Sequence, residues 1–421
     1  MIRFYNGRIL SFGNGISIDE NEVWTDGQTI CYVGPGREDM PEFEREIDLK
    51  GDILMPGFKN AHTHSAMTFV RSFADDLPLE QWLYEKIFPR EAKLTDETVY
   101  YCAKLANMEY LTSGITSSFD MYFHNDAYVQ ANIDMGFRTG IVSSMNNFDK
   151  DYHDVEREYL KFNGMNDLIS YHIGFHAEYT TCMERMEYVA SLAEKYSAPV
   201  FVHNAETKNE VDGCIERYGV TPTVLFDRLG MFKYGGGGFH CVYLTDADIE
   251  IFKKRGLWVV TNPASNLKLA SGIAPICRFM SEGINIAIGT DGPASNNALD
   301  MFREMFLVTA LAKYRENDAS ACDANKVLEM ACVGGARAMG LDDCDDIAAG
   351  KKADLIVIDL SRPNMHPFNN LSKNIVYAGS KENVRLTMVA GRILYENGEF
   401  FLDEPADKIY KEAERVTKPL L

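Results

Sequence analysis

Two histidines separated by one residue, His62 and His64, are the first feature of this chain that could do chemistry. Side chains two positions apart on a strand point to the same side, so both imidazoles would face one space if a strand ends here. Imidazole nitrogens are preferred ligands of zinc and of its neighbours in the first transition row. Two ordinary surface histidines in a loop would give the same short pattern.

A third histidine, with a carboxylate close by, follows the apolar segment 198–202. His203 could supply another metal ligand, and Glu206 could act as a nearby proton shuttle. A histidine at the end of a strand, followed by a glutamate that stabilises a helix N-terminus, would look the same. Both interpretations stay open on these residues alone.

Three more polar residues come directly after apolar segments. His240 follows the four glycines 235–238, where neighbouring backbone or a ligand could approach closely. Asp291 lies in the sequence Gly-Thr-Asp-Gly, where it could complete a metal shell or cap a turn. His176 ends a further apolar segment.

The elements that would position these residues are short apolar strands, each followed by a segment long enough for a helix. We predict eight such strands, at 53–58, 115–119, 138–142, 171–175, 200–203, 234–240, 257–260 and 284–288. Eight alternations are what a (β/α)8 barrel requires, although a doubly wound sheet also alternates. Barrel enzymes place their sites at the C-terminal ends of the strands. A metal site is therefore predicted there, because five candidates share that placement: His62, His64, His203, His240 and Asp291.

Short strands cut by turns occupy both ends of the chain, and neither end has enough of them to bury a sheet face alone. The predicted fold class is α/β, a (β/α)8 TIM barrel with a small β-sandwich domain formed from both chain termini. We expect residues 1–55 and 350–421 to form the sandwich and residues 56–349 to form the metal-dependent barrel.

Composition indicates which classes of partner the protein could bind and in which cellular compartment we expect it. Aspartate plus glutamate number 62 against 42 lysine plus arginine, and this net charge of −20 disfavours nucleic acid and membrane surfaces. Nine cysteines without a C-x-x-C pair indicate buried free thiols in a reducing compartment. The first residues lack the features of a secretory signal. We therefore expect a cytoplasmic, soluble protein.

Several stretches together resemble the amidohydrolase superfamily, and within it the branch of the methylthioadenosine/S-adenosylhomocysteine deaminases and the triazine chlorohydrolases. The resemblance covers almost the whole chain, and its matching stretches are residues 55–64, 119–124, 261–269, 289–297 and 353–357. It implies a barrel flanked by a β-sandwich built from both termini.

The resemblance also implies one divalent metal ion, most often Zn²⁺ with Fe²⁺ or Mn²⁺ as alternatives, held by His62, His64, His203 and Asp291. Members with two metals bridge them with a carboxylated lysine on the fourth strand. Residues 170–176 contain no lysine, so we expect a mononuclear site.

Catalytic roles follow from the same resemblance. Asp291 would take a proton from water, and Glu206 would bind the substrate ring and protonate the nitrogen beside the attacked carbon. His240 would orient the water and stabilise the tetrahedral intermediate. Collapse of that intermediate would expel ammonia from an aminopurine.

For the substrate, Glu91 matches a glutamate that holds ribose hydroxyls in the nucleoside deaminases of this branch. His176 matches a histidine that contacts the nucleoside, and Trp82 is expected to wall the pocket. A solvated glutamate at a helix start and plain core packing are the alternatives for Glu91 and Trp82. Ser143 stands where members that accept homocysteine carry an arginine, and Lys150 is only a loose replacement.

The sequence therefore favours a hydrolytic deaminase of adenosine, 5′-deoxyadenosine or methylthioadenosine, whose 5′ ends are uncharged, over one of S-adenosylhomocysteine. A deaminase or chlorohydrolase of another amino-heterocycle, such as guanine, a pterin or a triazine, is the first alternative. A metal-bound barrel that binds a ligand without turnover is the second. By analogy with this branch, we expect a homo-oligomer, either a dimer or a tetramer.

Overall fold

The computed structural model describes residues 1–78 and 81–420. Its first strands are short and separated by turns: β1 (Ile2–Tyr5), β2 (Arg8–Ser11), β3 (Ser17–Asp19), β4 (Glu22–Asp26), β5 (Thr29–Gly34), β6 (Arg45–Asp48) and β7 (Ile53–Pro56). Strands β5, β4, β1 and β6 form a four-stranded sheet in that order. This sheet is built from N-terminal residues alone, whereas the sequence predicts sheets that both termini share.

Eight further strands form the central sheet: β8 (Phe58–Thr63), β9 (Ile115–Asp120), β10 (Arg138–Val142), β11 (Ile169–Ala177), β12 (Val200–Asn204), β13 (Gly236–His240), β14 (Trp258–Thr261) and β15 (Asn285–Ile288). Each strand pairs in parallel with the next one along the chain. The Asp291 N–H donates to the His62 carbonyl oxygen at 3.0 Å, which joins the end of β15 to β8. The predicted (β/α)8 barrel is confirmed.

The last strands return to the sheets of the termini: β16 (Leu355–Ile358), β17 (Val384–Val389), β18 (Arg392–Glu396) and β19 (Glu399–Phe400). They join β7, β2 and β3 in a seven-stranded sheet, ordered β19, β18, β17, β16, β7, β2, β3. One buried apolar cluster contains Phe4 and Ile30 of the four-stranded sheet together with Val357 and Leu386 of the seven-stranded sheet. Both termini therefore contribute to the extra sheets, as predicted.

The start of the barrel was predicted wrongly. Residues 53–58 were expected to form its first strand, but Ile53–Pro56 is β7 and pairs antiparallel with β16. The chain passes to the barrel at Gly57, where a side-chain Cβ would lie 2.1 Å from Thr116 Cγ2. Every residue of β7 and β8 is buried. The two strands therefore form one continuous buried segment, although they belong to different sheets, and no change of pattern in the sequence marks the boundary between them.

Helices follow the barrel strands and cover the outside of the barrel. Three of them begin at a threonine (Thr95, Thr207 or Thr245) whose hydroxyl accepts an N–H of the first turn. The α-helices are Phe88–Glu91, Asp96–Thr112, Asn125–Met135, Asp154–Phe162, Met183–Tyr196, Lys208–Tyr218, Pro222–Arg228, Asp246–Arg255, Pro263–Lys268, Ile276–Ser281, Met301–Glu316, Ala324–Glu329, Gly335–Ala338, Leu371–Tyr377 and Ala406–Thr417. Within residues 1–78 and 81–420, no helix has the length and apolar character needed to cross a bilayer.

Among the ion pairs that connect the C-terminal part of the chain to the barrel, two are largely buried. Arg138 on β10 forms a buried pair with Asp354, with Nε 2.6 Å from Oδ2 and Nη2 3.1 Å from Oδ1. Lys104 is paired with Glu404 at 2.8 Å, just before the last helix.

All nine cysteines are free thiols, as predicted, and six of the nine are buried.

Candidate functional site

Histidines from several barrel strands and one aspartate meet at the C-terminal end of the barrel. Ligand atoms of His62, His203 and His240 lie within 4.8 Å of one another, and so do those of His62, His64 and Asp291. Asp291 Oδ1 is 3.3 Å from His64 Nε2 and 3.6 Å from His62 Nε2. The structure thus brings together all five residues for which the sequence predicted a shared position.

Two of these imidazoles are held by backbone carbonyl groups. His64 Nδ1 donates to the Met121 carbonyl oxygen at 2.5 Å, and His203 Nδ1 donates to that of His176 at 2.7 Å. A hydrogen bond of this kind fixes both the ring orientation and the tautomer, because Nδ1 carries the proton. The unprotonated Nε2 is then available as a ligand atom.

His62 is fully buried and stacks on Phe239 with ring centroids 3.8 Å apart. Neither of its ring nitrogens has a hydrogen-bond partner. Burial lowers the pKa of His62 and of His203 well below the ordinary range, which keeps both imidazoles neutral. Neutral imidazoles, an unpartnered buried nitrogen and one carboxylate form a donor set that fits a single divalent transition-metal ion.

Asp291 is fixed by three hydrogen bonds. Its Oδ2 accepts from Ser265 Oγ at 2.5 Å and Ser295 Oγ at 2.9 Å, and its Oδ1 accepts from the Gly292 N–H at 2.7 Å. Burial acts to raise the pKa of Asp291, but the imidazoles of His64 and His240 and these hydrogen bonds lower it below its usual value. Its backbone has φ of 60°, a strained conformation typical of functional sites.

Glu206 and His240 face each other beside this group, with Glu206 Oε2 3.9 Å from His240 Nε2. Asn266 Oδ1 accepts from His240 Nδ1 at 2.7 Å, and Ser271 Oγ donates to Glu206 Oε1 at 2.9 Å. Burial acts to lower the pKa of His240, but the carboxylates of Glu206 and Asp291 raise it. A proton can therefore be held on His240, next to Glu206 and the group of metal-binding candidates.

These groups open into a cavity at the end of the barrel. Glu91 lies in its wall, where Glu91 Oε1 accepts from the Tyr122 hydroxyl at 2.9 Å. Desolvation raises the pKa of Glu91 to about 7. The buried Trp82 and the half-buried His176 also line the cavity, and burial lowers the pKa of His176 to about 3.

Sequence reasoning missed several residues of this site, among them Tyr122, Ser265, Asn266 and Ser295. Each of these four lies inside a stretch that carries the family resemblance, so their positions were available as a signal. Three of the contacts could not be predicted, because Tyr122, Ser265 and Asn266 bond to residues that belong to other strands of the barrel or to the loops after them. Ser295 lies only four residues after Asp291, but this spacing alone does not show the bond.

The glycine run before His240 serves packing between strands. A Cβ on Gly236 would lie 1.9 Å from the Val200 carbonyl oxygen, and one on Gly237 would lie 2.4 Å from that of Trp258. The sequence left open whether neighbouring backbone or a ligand approaches these glycines. The structure shows that the backbone of the neighbouring strands does so at Gly236 and Gly237.

Comparison with known proteins agrees with this geometry. The pattern of the amidohydrolase family matches residues 53–394. A 5-methylthioadenosine/S-adenosylhomocysteine deaminase of Caldanaerobacter subterraneus subsp. tengcongensis is 36% identical, over 99% of this chain and 98% of the relative. A 5′-deoxyadenosine deaminase of Methanopyrus kandleri is 39% identical, over 91% of this chain and 90% of the relative.

A solved structure is similar over the full length. The crystal structure of an adenosine deaminase from Xanthomonas campestris with bound zinc superposes with a TM-score of 0.93. The two sequences are 33% identical, and the match covers 100% of this chain and 98% of the other. The chain belongs to the amidohydrolase family.

Proposed function

We propose that this protein is a metal-dependent hydrolytic deaminase of adenine nucleosides, which converts the adenine group to hypoxanthine and releases ammonia. The observation that carries the proposal is the position of Glu206 and His240 beside the cluster of His62, His64 and Asp291, at the end of one cavity. The relatives named above, with deaminase activity on adenosine derivatives, support the choice of substrate.

The residues proposed to hold the metal are His62, His64, His203 and Asp291. One divalent ion is expected, with Zn²⁺ favoured by the zinc-bound relative and Fe²⁺ or Mn²⁺ as the other candidates. Such an ion acts as a Lewis acid that activates water near neutral pH. Because Asp291 is the one carboxylate among these four ligands, it would offset only part of the ion's positive charge.

The chain's own residues then move the protons. Asp291, whose pKa is lowered, is ionised and can accept a proton from the attacking water. Glu206 donates a proton to the ring nitrogen beside the attacked carbon, so that this carbon becomes electrophilic. His240, oriented by Asn266, faces the same space and can donate to the oxygen of the tetrahedral intermediate. Transfer of a further proton to the amino group allows it to leave as ammonia.

Three residues of the cavity wall are proposed to bind the nucleoside. Glu91 accepts hydrogen bonds from the ribose hydroxyls, while Tyr122 holds the Glu91 carboxylate in place. Trp82 offers an apolar wall, and His176 offers a neutral ring nitrogen.

The experiment is a spectrophotometric screen of zinc-loaded protein with adenosine, 5′-deoxyadenosine, methylthioadenosine and S-adenosylhomocysteine. We expect conversion of adenine to hypoxanthine for the nucleosides with an uncharged 5′ end. Glu206→Gln should abolish turnover, whereas Glu216→Gln, on the exposed side of the following helix, should not. If metal-loaded protein turned over none of the four compounds, the proposal would be wrong.

A further inference from the structure

An aromatic rim stands at the solvent end of the cavity. Phe148 is 70% exposed, in contrast to the buried imidazoles at the floor, and yet its side chain lines the cavity. It contacts Phe88 with ring centroids 5.8 Å apart, and Phe88 in turn contacts Tyr84 at 5.3 Å. The aromatic faces of Phe88 and Phe148 are thus available to a ligand that occupies the mouth of the cavity.

The loop that carries Phe148 is fixed by its own polar groups. The Phe148 N–H donates to Asn146 Oδ1 at 2.8 Å, and the Asn146 N–H donates to Asp149 Oδ2 at 2.7 Å. Arg185 donates from Nη2 to the Asp149 carbonyl oxygen at 2.8 Å and from Nη1 to that of Asn146. Because the loop is already ordered, little conformational entropy is lost when a ligand contacts Phe148.

The cavity offers no cation to an anionic ligand at this end. Among its described lining residues there are three carboxylates, Glu91, Glu206 and Asp291, and neither lysine nor arginine. The guanidinium of Arg185 is occupied by the two carbonyl groups of the loop. Lys150 lines a neighbouring surface pocket with Asp149, Asp151 and Asp154. Lys208 and Arg217 line an adjoining pocket, but they are paired with Asp212 and Glu178. A carboxylate or phosphate here would lack the charged partner that it needs.

The shape of an adenine nucleoside sets which part meets the rim. The carbon that reacts must lie beside Glu206 and the proposed metal ligands, at the buried end of the cavity. The sugar is attached on the other side of the purine, and the 5′ substituent is the part of the sugar that extends beyond it. This substituent therefore points to the solvent end, where Phe88 and Phe148 stand.

We propose that the rim of Phe88 and Phe148 is the subsite for the 5′ substituent and that Phe148 makes the enzyme prefer an uncharged, apolar group there. This inference rests on the proposed function and names the substrate class within it. A methylthio group would lie against two aromatic rings, where carbon and sulfur contacts are favourable.

The test is the ratio of kcat/KM for methylthioadenosine to kcat/KM for adenosine, measured for the wild type and Phe148→Ala. We expect the variant to lose about 5- to 30-fold for methylthioadenosine and under about twofold for adenosine, so that the ratio falls. Phe148→Leu, which keeps an apolar contact, should restore most of the ratio. Phe401→Ala removes a similarly exposed ring from the C-terminal sheet region and should leave the ratio unchanged. Adenosine 5′-monophosphate should be a poor substrate for the wild type.

The possible outcomes distinguish failure of the proposed function from failure of the proposed subsite. If the wild type deaminates no adenine nucleoside, the proposed function fails and this inference fails with it. If the wild type deaminates them but Phe148→Ala leaves the ratio unchanged, or the monophosphate reacts as fast as methylthioadenosine, only the subsite is overturned. Since Phe148 is mostly exposed, its removal opens no core cavity, and a folded variant is expected.

Discussion

The ionisation of Glu91 should govern substrate binding near neutral pH. Desolvation raises its pKa to about 7, although the hydrogen bond from Tyr122 acts in the opposite direction. The carboxylate, and not the carboxylic acid, accepts from two ribose hydroxyls at once. Because the carboxylate is lost as the pH falls through 7, kcat/KM should fall with it.

The size of the effect follows from this pKa. With a pKa of about 7, about one tenth of Glu91 is ionised at pH 6 and about nine tenths at pH 8, so kcat/KM should rise about tenfold over that interval. Glu91→Gln keeps the side-chain volume and removes the charge. Hydrogen bonds to a charged group contribute about 1.5–3 kcal/mol, so the variant should lose about 10- to 150-fold at pH 8 and less at pH 6.

The assay is the initial rate at substrate concentrations below KM, from pH 5.5 to pH 9 in about half-unit steps, for the wild type and Glu91→Gln. The variant should lack the inflection near pH 7. Tyr122→Phe removes the hydrogen bond that lowers the Glu91 pKa, so its inflection should move to higher pH. An identical inflection in the wild type and Glu91→Gln would show instead that another group carries the pH dependence.

Three further predictions concern the site and the fold. Asn266→Leu removes the acceptor of His240 and should lower kcat by about 10- to 100-fold with a smaller change in KM; an unchanged kcat would contradict the orienting role. Asp354→Ala leaves Arg138 buried without its carboxylate and should lower the free energy of unfolding in urea by about 3–5 kcal/mol, whereas no change would contradict the pairing. A chelator should remove the metal, abolish activity and lower Tm, with recovery on adding zinc; metal-free protein with full activity would contradict a catalytic metal.

Much of the barrel could be predicted because each strand is a short apolar run followed by a helix-length segment. The placement of His62, His203 and His240 at strand ends could be predicted for the same reason. The boundary between β7 and β8 could not be predicted, because every residue of both strands is buried and the sequence shows no alternation of apolar and polar residues there.

The division of the chain into residues 1–55, 56–349 and 350–421 stays a prediction, as do the homo-oligomer and the cytoplasmic location.

Contacts between distant residues were the part that the sequence could not supply. Ser265 donates to Asp291 across 26 positions of the sequence, and nothing in that sequence shows that the segment after β14 lies against the loop after β15. The raised pKa of Glu91 likewise depends on desolvation inside the folded cavity. Such features depend on tertiary packing, whereas strand and helix patterns are local.

In the proposed reaction, water replaces the amino group of an adenine nucleoside. The most direct measurement is to react methylthioadenosine with zinc-loaded protein in heavy-oxygen water and to quantify ammonia and the mass of the product. We predict one heavy oxygen in each hypoxanthine nucleoside and one equivalent of ammonia, with neither formed by Glu206→Gln. A metal-loaded protein that leaves the nucleoside unchanged, or a product without heavy oxygen, would contradict the claim.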